Sequence, residues 1–245
     1  MFLRHQISIR LRRMPGYRLL RDLYWLMRSG KTRSFVLLRR HTAGLLFQPY
    51  PTTHNGRYAK VFTAVRAILG DDPELRLLSF GCATGEELFT LRAHFPQAFI
   101  RGLDINPRNI RICRQRLQER NDPAMSVAAA AAADDEDAAS YDAVFAMAVF
   151  RHGDLSDGPP PPRCDHLIRH ADIRRCLRSL TRSLKPGGLL LLWHCQFHLA
   201  DCLSADGFEL VQEQNHPVPG PLYGSDNHLI GQSFCQGQLW RKSSA

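Results

Sequence analysis

The residues with the clearest chemical pattern are two glycines and an acid that follows them about twenty positions later. Gly81 and Gly85 bracket the turn Gly-Cys-Ala-Thr-Gly, and Asp104 ends an apolar run that begins at Phe99. Glycines let a turn approach a ligand closely, and the free amides that open a following helix attract carboxylate or phosphate. An acid after the next strand can accept both hydroxyls of a ribose. This order predicts a pocket for a nucleotide-type cofactor.

The sequence around the turn predicts the elements that position it. Residues 75–80 are a short apolar run typical of a buried strand, residues 86–94 read as a helix, and residues 99–103 form a second strand. We expect residues 128–139, rich in alanine and acids, to be a poorly constrained helix or loop, and residues 216–229 to be a loop. The other predicted helices are residues 107–120 and 168–184. The other predicted strands are residues 125–127, 141–150, 184–192, 207–212 and 232–241.

The turn resembles the G-x-G-x-G loop of class I S-adenosylmethionine-dependent methyltransferases, with Ala83 in the middle place, and is similar to the GC-[SA]-TGEE loop of chemotaxis-receptor glutamate methyltransferases. Residues 141–150 and 184–192 resemble the fourth and fifth strands of that fold. The resemblance implies an α/β, Rossmann-like, seven-stranded doubly wound sheet with an antiparallel last strand, and S-adenosylmethionine as the cofactor. The cofactor-binding residues that it implies are Ser79, Gly81, Cys82, Ala83, Thr84, Gly85, Asp104, Ile105 and Met147.

Ser79 departs from this family pattern, because most members have an acid two residues before the first glycine. Part of any contact to the amino group of the cofactor must therefore come from elsewhere. In this fold the segment before the first strand often covers the cofactor, and ordinary connector residues are the alternative. The lid candidates in this segment are Tyr50, Thr53, His54 and Tyr58.

Two histidines are candidates for a catalytic base. His152 follows the predicted fourth strand and His194 follows the fifth. Parallel strands end at the same edge of a sheet, so both side chains are expected near one cavity. A hydroxyl acceptor must lose a proton during methyl transfer, and an imidazole can take it. The alternative is that each is a loop histidine satisfied by backbone or water.

Three later segments resemble small bacterial methyltransferases associated with cell-surface glycan genes. They read FAMAVFRHGDL, WHCQFHLAD and PLYGSDNHL and begin at residues 145, 193 and 221. The resemblance implies that the acceptor is a sugar hydroxyl or another glycan substituent. Carboxylates and amides suit such a ligand because they pair with vicinal hydroxyls, and aromatic faces stack on sugar carbons. The acceptor-side residues that it implies are Phe150, Arg151, Gln196, Asp201, Asp226 and Asn227.

Positive charge is concentrated at the start of the chain. Residues 1–41 hold ten arginines and one lysine against the single acid Asp22, whereas the 245-residue chain has a formal charge of +9. We therefore predict a basic helical extension over residues 1–51 and a methyltransferase domain over residues 52–245. The amphipathic pattern of residues 17–29 is compatible with packing on the domain, with peripheral contact to an anionic membrane, or with a polyanion. Nucleic acid is the least favoured partner, because the predicted domain is nearly neutral.

The cysteines favour a reducing compartment. There are seven, scattered and without a C-x-x-C pair, and their spacing with histidine matches no common zinc pattern. We predict a cytoplasmic enzyme without a metal. No run reaches the roughly twenty apolar residues that span a bilayer, and we expect no signal peptide. The excess of arginine over lysine is typical of a bacterial GC-rich gene.

Three functional hypotheses remain open at this point. The first is O-methylation of a small molecule, saccharide or lipid-linked glycan. The second is methylation of protein or RNA held by the basic extension, and binding that weakens steeply with salt would favour it. The third is a scaffold that has lost the cofactor, because Ser79 and Ala83 depart from the commoner loop.

Overall fold

The structure is a computed structural model that describes residues 34, 37, 38, 42, 44–49, 54, 56–203 and 207–244, except the side chains of residues 199, 214–217 and 234–236. The predicted basic helix at residues 17–29 and the lid candidates Tyr50 and Thr53 lie outside this range. The chain divides into two compact units, Met1–Ala43 and Gly44–Ala245. The domain boundary near residue 52 stays a prediction. None of the described helices combines the length and the apolar character needed to cross a membrane.

The second unit alternates strands and helices. A helix at its start, α1 (Ala59–Leu69), precedes the first strand, and short 3-10 helices follow β4 and β5. In order after α1 the elements are β1 (Arg76–Phe80), α2 (Glu86–His94), β2 (Phe99–Asp104), α3 (Pro107–Arg120), β3 (Met125–Ala129), β4 (Tyr141–Met147), a 3-10 helix (Gly153–Ser156), α4 (His170–Ser183), β5 (Leu184–Trp193), a 3-10 helix (Leu199–Asp201), β6 (Phe208–Tyr223) and β7 (Leu229–Lys242).

The seven strands form one sheet in the order β3-β2-β1-β4-β5-β7-β6. Strands β1 to β5 are parallel, and β7 lies antiparallel between β5 and β6. This arrangement confirms the predicted Rossmann-like sheet with an antiparallel last strand. Apolar side chains from alternate strand positions fill two cores, one on each face of the sheet. Because neighbouring parallel strands end together, residues that follow β1, β2, β4 and β5 share one edge of the sheet.

Local sequence signals explain where the helices begin and end. Asn106 caps α3 by accepting a hydrogen bond from the Arg108 amide at 3.0 Å, and Pro107 occupies the first helical position. Asn121 ends α3 in the left-handed conformation. The start of α4 is capped from far along the chain, because Asn227 Oδ1 accepts the His170 amide at 2.8 Å. A capping residue that is distant in sequence is not visible in a local pattern.

The last hairpin is longer than the sequence predicts. Strand β6 continues to Tyr223, so the predicted loop over residues 216–229 shrinks to a short turn after that residue. Three prolines at positions 217, 219 and 221 argued against a strand there. Proline is tolerated in β6 because β6 is the edge strand, where one row of backbone N–H groups has no neighbour, and because the register with β7 shifts three times between Gln214 and Tyr223.

Strand β3 takes in the first two residues of the alanine-rich segment, and the rest of the segment is a loop that is held more firmly than expected. The Arg182 guanidinium donates to the carbonyl oxygens of Ala133, Asp134 and Glu136 at 3.3, 2.8 and 2.7 Å. The carboxylate of Glu136 also pairs with Arg101 at 3.0 Å. These contacts fix the segment against β2 and α4. The expectation of a poorly constrained stretch was therefore wrong, because the anchoring arginines lie elsewhere in the sequence.

Candidate active site

The glycine turn after β1 folds against the end of β2. The amides of Gly81 and Cys82 both donate to the carbonyl oxygen of Leu103, at 2.7 and 3.0 Å. Gly81, Ala83 and Gly85 all have positive φ values, of 82°, 49° and 101°. Alternate residues of the turn are thus in a conformation that favours glycine, and two of them, Gly81 and Gly85, carry no side chain.

The two glycines are also required by their immediate neighbours. A Cβ atom at Gly81 would lie 2.4 Å from Val149 Cγ2, and one at Gly85 would lie 2.6 Å from Cys113 Sγ. Both distances are far below van der Waals contact. The turn is therefore closely packed on its inner side, which leaves no room for a larger residue at either position.

Asp104 is the organising acid of the turn. Its Oδ2 accepts the Ala83 amide at 3.0 Å, and its Oδ1 accepts the Asn106 amide at 2.8 Å and Asn109 Nδ2 at 3.1 Å. Burial raises the pKa of Asp104, and these three hydrogen bonds oppose that effect. A carboxylate offers about four acceptor positions, so capacity for about one more donor, such as a ribose hydroxyl, remains.

Glu87 occupies the place left by the missing acid at position 79. Ser79 lies at the end of β1 and donates its hydroxyl hydrogen bond to Glu87 Oε1 at 2.7 Å. Burial raises the pKa of Glu87 to about 8, although the Ser79 hydrogen bond and the Arg57 charge oppose it. A cationic amine near this carboxyl group would favour its charged form. The sequence reasoning missed Glu87, although the second glutamate of the TGEE resemblance was the available signal.

The remaining predicted cofactor residues surround the turn. Thr84 donates its hydroxyl to Glu86 Oε2 at 2.7 Å, and Arg116 binds Glu86 Oε1 at the same distance. Thr84 thereby fixes the first turn of α2. Ile105 is half-buried after β2, and Met147 is buried at the end of β4. All these positions lie at the predicted edge of the sheet.

A second group of side chains lies beside the turn and contains His194 and Arg151. Tyr58, before α1, packs edge-on against Trp193 with ring centroids 6.1 Å apart, and Arg57 lies 5.0 Å above the Tyr58 ring. Burial, together with the positive charges of Arg151 and Arg57, lowers the pKa of His194 to about 4. The imidazole is therefore neutral at pH 7, which a proton acceptor requires. The sequence reasoning missed Arg57.

His152 and Gln196 hold the loops after β4 and β5 together. The amide of His152 donates to Gln196 Oε1 at 2.7 Å, and Gln196 Nε2 donates to Ser156 Oγ at 3.3 Å. His152 Nδ1 accepts the Asp154 amide at 3.3 Å and caps the first 3-10 helix. Gln196 is fully buried, so it presents no surface to an acceptor in this conformation. Of the two histidines, His194 is the one that lies among the charged side chains.

Phe150 is placed in the core instead of on an open surface. It is 1% exposed, stacks near Phe80 with centroids 6.1 Å apart, and meets Phe47 edge-on at 5.4 Å. Its ring is enclosed by other aromatic rings. Stacking of a sugar on this ring, as implied by the resemblance, would require the loop to move.

Asp226 and Asn227 lie at the tip of the last hairpin. Asp226 is exposed and pairs with His228 Nδ1 at 2.9 Å, while Asn227 caps α4. Asp201 is also exposed and ends the second 3-10 helix. The Tyr223 amide donates to the Gln196 carbonyl oxygen at 2.9 Å, which ties the hairpin to the loop after β5. The end of the hairpin therefore contacts the loops that follow β4 and β5. Asp201 belongs to the second 3-10 helix, between β5 and β6.

Comparisons with known proteins agree with this geometry. Residues 78–190 match a family model described as a methyltransferase domain. This range includes the last three residues of β1, the glycine turn, β4 and most of β5. No curated protein matches the sequence. The match to the family model and the order of the sheet show a methyltransferase domain with the Rossmann-like class I fold, whose cofactor is S-adenosylmethionine.

Solved structures of low sequence identity share the fold. The YcgJ protein of Bacillus subtilis is 13% identical with a TM-score of 0.50, and the alignment covers 76% of this chain and 99% of that one. TehB of Haemophilus influenzae is 13% identical with a TM-score of 0.51, and the alignment covers 75% of this chain and 62% of that one. At such identity the likeness shows the architecture and says nothing of the acceptor.

The residues of the site fit the cofactor. Gly81 and Gly85 leave two positions of the turn without a side chain, Asp104 retains capacity for a hydroxyl, and Glu87 places a carboxyl group where an ammonium would stabilise its charge. S-adenosylmethionine supplies a methyl group on a sulfonium, and the protein contributes alignment and exclusion of water. The departures at Ser79 and Ala83 do not indicate a scaffold without cofactor, because the Ser79 hydroxyl binds Glu87 and the Ala83 amide binds Asp104.

Proposed function

We propose that this methyltransferase acts on a hydroxyl of a small-molecule or saccharide acceptor, including a lipid-linked glycan, in the cytoplasm of a bacterium. The observation that carries the proposal is His194, whose imidazole lies at the end of β5 among the charged side chains of the site. A hydroxyl is a poor nucleophile until a base accepts its proton. A neutral imidazole at this edge of the sheet suits that role.

The backbone supports the positioning of His194. Its φ value is 51°, in the left-handed region that β-strand residues avoid, so the chain turns sharply as it leaves β5. Such conformations cost about 1 to 3 kcal/mol and cluster at functional sites. In the proposed reaction His194 accepts the hydroxyl proton while the acceptor oxygen attacks, and His152 supports the loop over the acceptor through its capping contact.

The proposal is tested with labelled methyl donor and a panel of saccharides and lipid-linked saccharides. We expect labelled products that survive mild alkali, because methyl ethers are stable there and methyl esters are hydrolysed. Substitution His194→Asn should lower kcat about 100-fold or more, the range for loss of a general base. His166→Asn is the matched control, because His166 is an exposed loop histidine.

Two results would overturn the proposal. Alkali-labile products would indicate that the acceptor atom is a carboxylate oxygen. Transfer to protein or RNA with no transfer to saccharides would favour the basic extension as a polyanion-binding segment, and that binding should weaken steeply as salt rises. Contact of residues 1–41 with an anionic membrane is part of the proposal for a lipid-linked acceptor.

A further inference from the structure

Gln196 is a buried side chain whose two polar atoms are both bound by protein. It is 0% exposed and lies in the loop after β5. Its Oε1 accepts the His152 amide at 2.7 Å, and its Nε2 donates to Ser156 Oγ at 3.3 Å. A buried amide group is costly unless it is hydrogen-bonded. The side chain therefore holds the loop after β4, and an acceptor does not reach it in this conformation.

The backbone of Gln196 extends the same connection. Its amide donates to the Phe150 carbonyl oxygen at 3.1 Å, and its carbonyl oxygen accepts the Tyr223 amide at 2.9 Å. Phe150 follows β4, and Tyr223 is the last residue of β6. All four polar groups of one residue thus join three chain segments. These segments are distant in sequence and meet only because of the order of the strands in the sheet.

His194 lies between two backbone hydrogen bonds to the loop after β4. The Ala148 amide donates to the Trp193 carbonyl oxygen at 2.8 Å, just before His194. The Gln196 amide donates to Phe150 at 3.1 Å, just after it. Ala148 and His194 have φ values of 58° and 51°, so β4 and β5 both leave the sheet through a left-handed residue. Such backbone persists only where surrounding contacts enforce it. The turn that carries the imidazole is therefore fixed on both sides to the β4 loop.

The loop after β4 is itself packed on the cofactor side of the site. A Cβ atom at Gly81 would lie 2.4 Å from Val149 Cγ2, so Val149 lies directly against the glycine turn. Phe150 stacks near Phe80, the last residue of β1, with ring centroids 6.1 Å apart. The position of this loop is thus set by the glycine turn, and its contacts with the loop after β5 transmit that position to His194.

We propose that Gln196 is a positioning residue for methyl transfer, which fixes the loop that carries His194 against the loop that packs on the cofactor turn. The inference rests on the proposed function, in which His194 accepts the proton of the acceptor. Methyl transfer needs the acceptor oxygen, the methyl carbon and the base in one alignment, and small displacements are costly in rate. Gln196 supplies that alignment without contacting the acceptor. The resemblance implied instead that Gln196 binds the acceptor directly, and the two roles give different kinetic results.

The test uses Gln196→Met, because methionine has a similar length and volume but makes neither hydrogen bond. We expect kcat for the saccharide that accepts label in the panel to fall about tenfold or more, while KM for that saccharide changes less than about twofold. A lost positioning contact lowers kcat, whereas a lost acceptor contact that is equally strong in the ground state raises KM. Ser156→Ala should lower kcat less, since only the longer of the two contacts is lost.

Cofactor binding separates the two loops in the same variant. The glycine turn is intact in Gln196→Met, so the affinity for S-adenosylhomocysteine, measured by calorimetry, should change less than about twofold. Loss of S-adenosylhomocysteine binding in proportion to the loss of kcat would place the effect in the cofactor turn and overturn the proposal.

Ser179→Ala is the matched structural control. Ser179 is buried on α4, and its hydroxyl oxygen accepts the Ala133 amide at 3.0 Å, so its removal also leaves a buried amide without that acceptor. Thermal unfolding measures how much each substitution destabilises the protein. We expect Ser179→Ala to lower Tm and to leave kcat unchanged at a temperature where the variant is fully folded. Equal losses of kcat in Ser179→Ala and Gln196→Met would reduce the role of Gln196 to general stability and overturn the proposal.

A second readout needs no acceptor and follows the His194 imidazole by NMR. Burial is the largest cause that lowers its pKa to about 4, followed by the charges of Arg151 and Arg57. In Gln196→Met the loosened loop should expose the imidazole, so its pKa should rise toward about 6.5, the value of an unperturbed histidine. Ser179→Ala should leave this pKa unchanged.

Failure of the positioning role and failure of the proposed function give different results. An unchanged His194 pKa in Gln196→Met, or a raised KM with unchanged kcat, would overturn the positioning role and retain the hydroxyl acceptor. Alkali-labile products, combined with the expected rise of the His194 pKa, would remove the hydroxyl acceptor and retain Gln196 as the residue that holds this loop.

Discussion

Ser79 donates its hydroxyl hydrogen bond to Glu87 Oε1 at 2.7 Å, which joins the end of β1 to the first turn of α2. The pair provides a carboxyl group at the position where most related loops have an acid in the strand itself. The carboxyl group comes from the helix, so its charge depends on the burial of that helix face. Cofactor binding and proton release should therefore be linked.

The first prediction concerns this linkage. Glu87 has a pKa of about 8, so binding of a cationic cofactor should favour its ionised form and release a proton. We expect the affinity for S-adenosylmethionine, measured by calorimetry, to rise between about pH 6 and about pH 7.5. Glu87→Gln should abolish most of this dependence. Glu86→Gln is the control on the same turn and should retain it, because the pKa of Glu86 is already lowered by its Arg116 and Thr84 contacts, which outweigh burial.

The second prediction concerns acid stability and His194. An unfolded histidine titrates near 6.5, whereas burial lowers the pKa of His194 in the fold to about 4. The folded form thus binds the proton less tightly, and stability should decrease as pH falls from about 6.5 to about 4. His194→Asn should lose less stability over that range, as measured by urea unfolding at several pH values. An identical pH dependence in the variant and the wild-type protein would contradict the assigned pKa.

The parts of the site that the sequence predicts are those encoded by neighbouring residues. Gly81, Gly85 and Asp104 belong to one strand-turn-helix-strand unit, where spacing alone brings the acid to the turn. Glu87 was not predicted because its contact with Ser79 depends on the direction in which a side chain leaves the helix. Arg57 was not predicted because the His194 imidazole on which its charge acts follows β5, far along the sequence, and only the order of the sheet brings that strand end to the site.

Elements of the fold were likewise predicted where local sequence determines them and missed where distant residues do. The parallel strands were predicted because they are short apolar runs bounded by turns. The length of β6 was not, because its prolines are acceptable only at a sheet edge, and edge position follows from the order of all seven strands. The placement of Asn227 at the start of α4 likewise depends on a hairpin that reaches back over the β4 loop.

The third prediction separates strain from crowding at the glycine turn. Gly85 and Gly158 both have φ of 101°, but only Gly85 has a close neighbour, Cys113 Sγ, at 2.6 Å from the added Cβ. Gly158→Ala should cost about 1 to 2 kcal/mol from backbone strain alone. Gly85→Ala should cost about 1 to 3 kcal/mol more because of overpacking, and it should weaken cofactor binding.

The rescue variant for this prediction is Gly85→Ala combined with Cys113→Ala. Removal of the sulfur provides space for the new methyl group, so the double variant should regain much of the stability that crowding removed. The backbone strain should remain. Urea unfolding of both single variants and the double variant completes the cycle. Additive effects of the two substitutions would show that the sulfur is not the obstacle.

The fourth prediction concerns Gly237, which packs against the ring of Trp193. A Cβ atom there would lie 1.9 Å from Trp193 Cε3, whereas one at Gly231 in the same strand would meet its nearest atom at 3.8 Å. Gly237→Ala must therefore displace the indole and should destabilise the protein by about 1 to 3 kcal/mol, or roughly 3 to 10 °C in Tm. Gly231→Ala is the control and should change Tm little.

Displacement of the indole should also change the positions of side chains in the active site. The ring centroids of Trp193 and Tyr58 lie 6.1 Å apart, and the Arg57 guanidinium lies over the Tyr58 ring, so a shifted indole should also move these two side chains. His194 directly follows Trp193 in the chain. We expect Gly237→Ala to lower kcat for methyl transfer at a temperature where the variant is fully folded, while Gly231→Ala leaves kcat unchanged. Unchanged kcat in a destabilised Gly237→Ala protein would mean that the active site is positioned independently of the Trp193 indole.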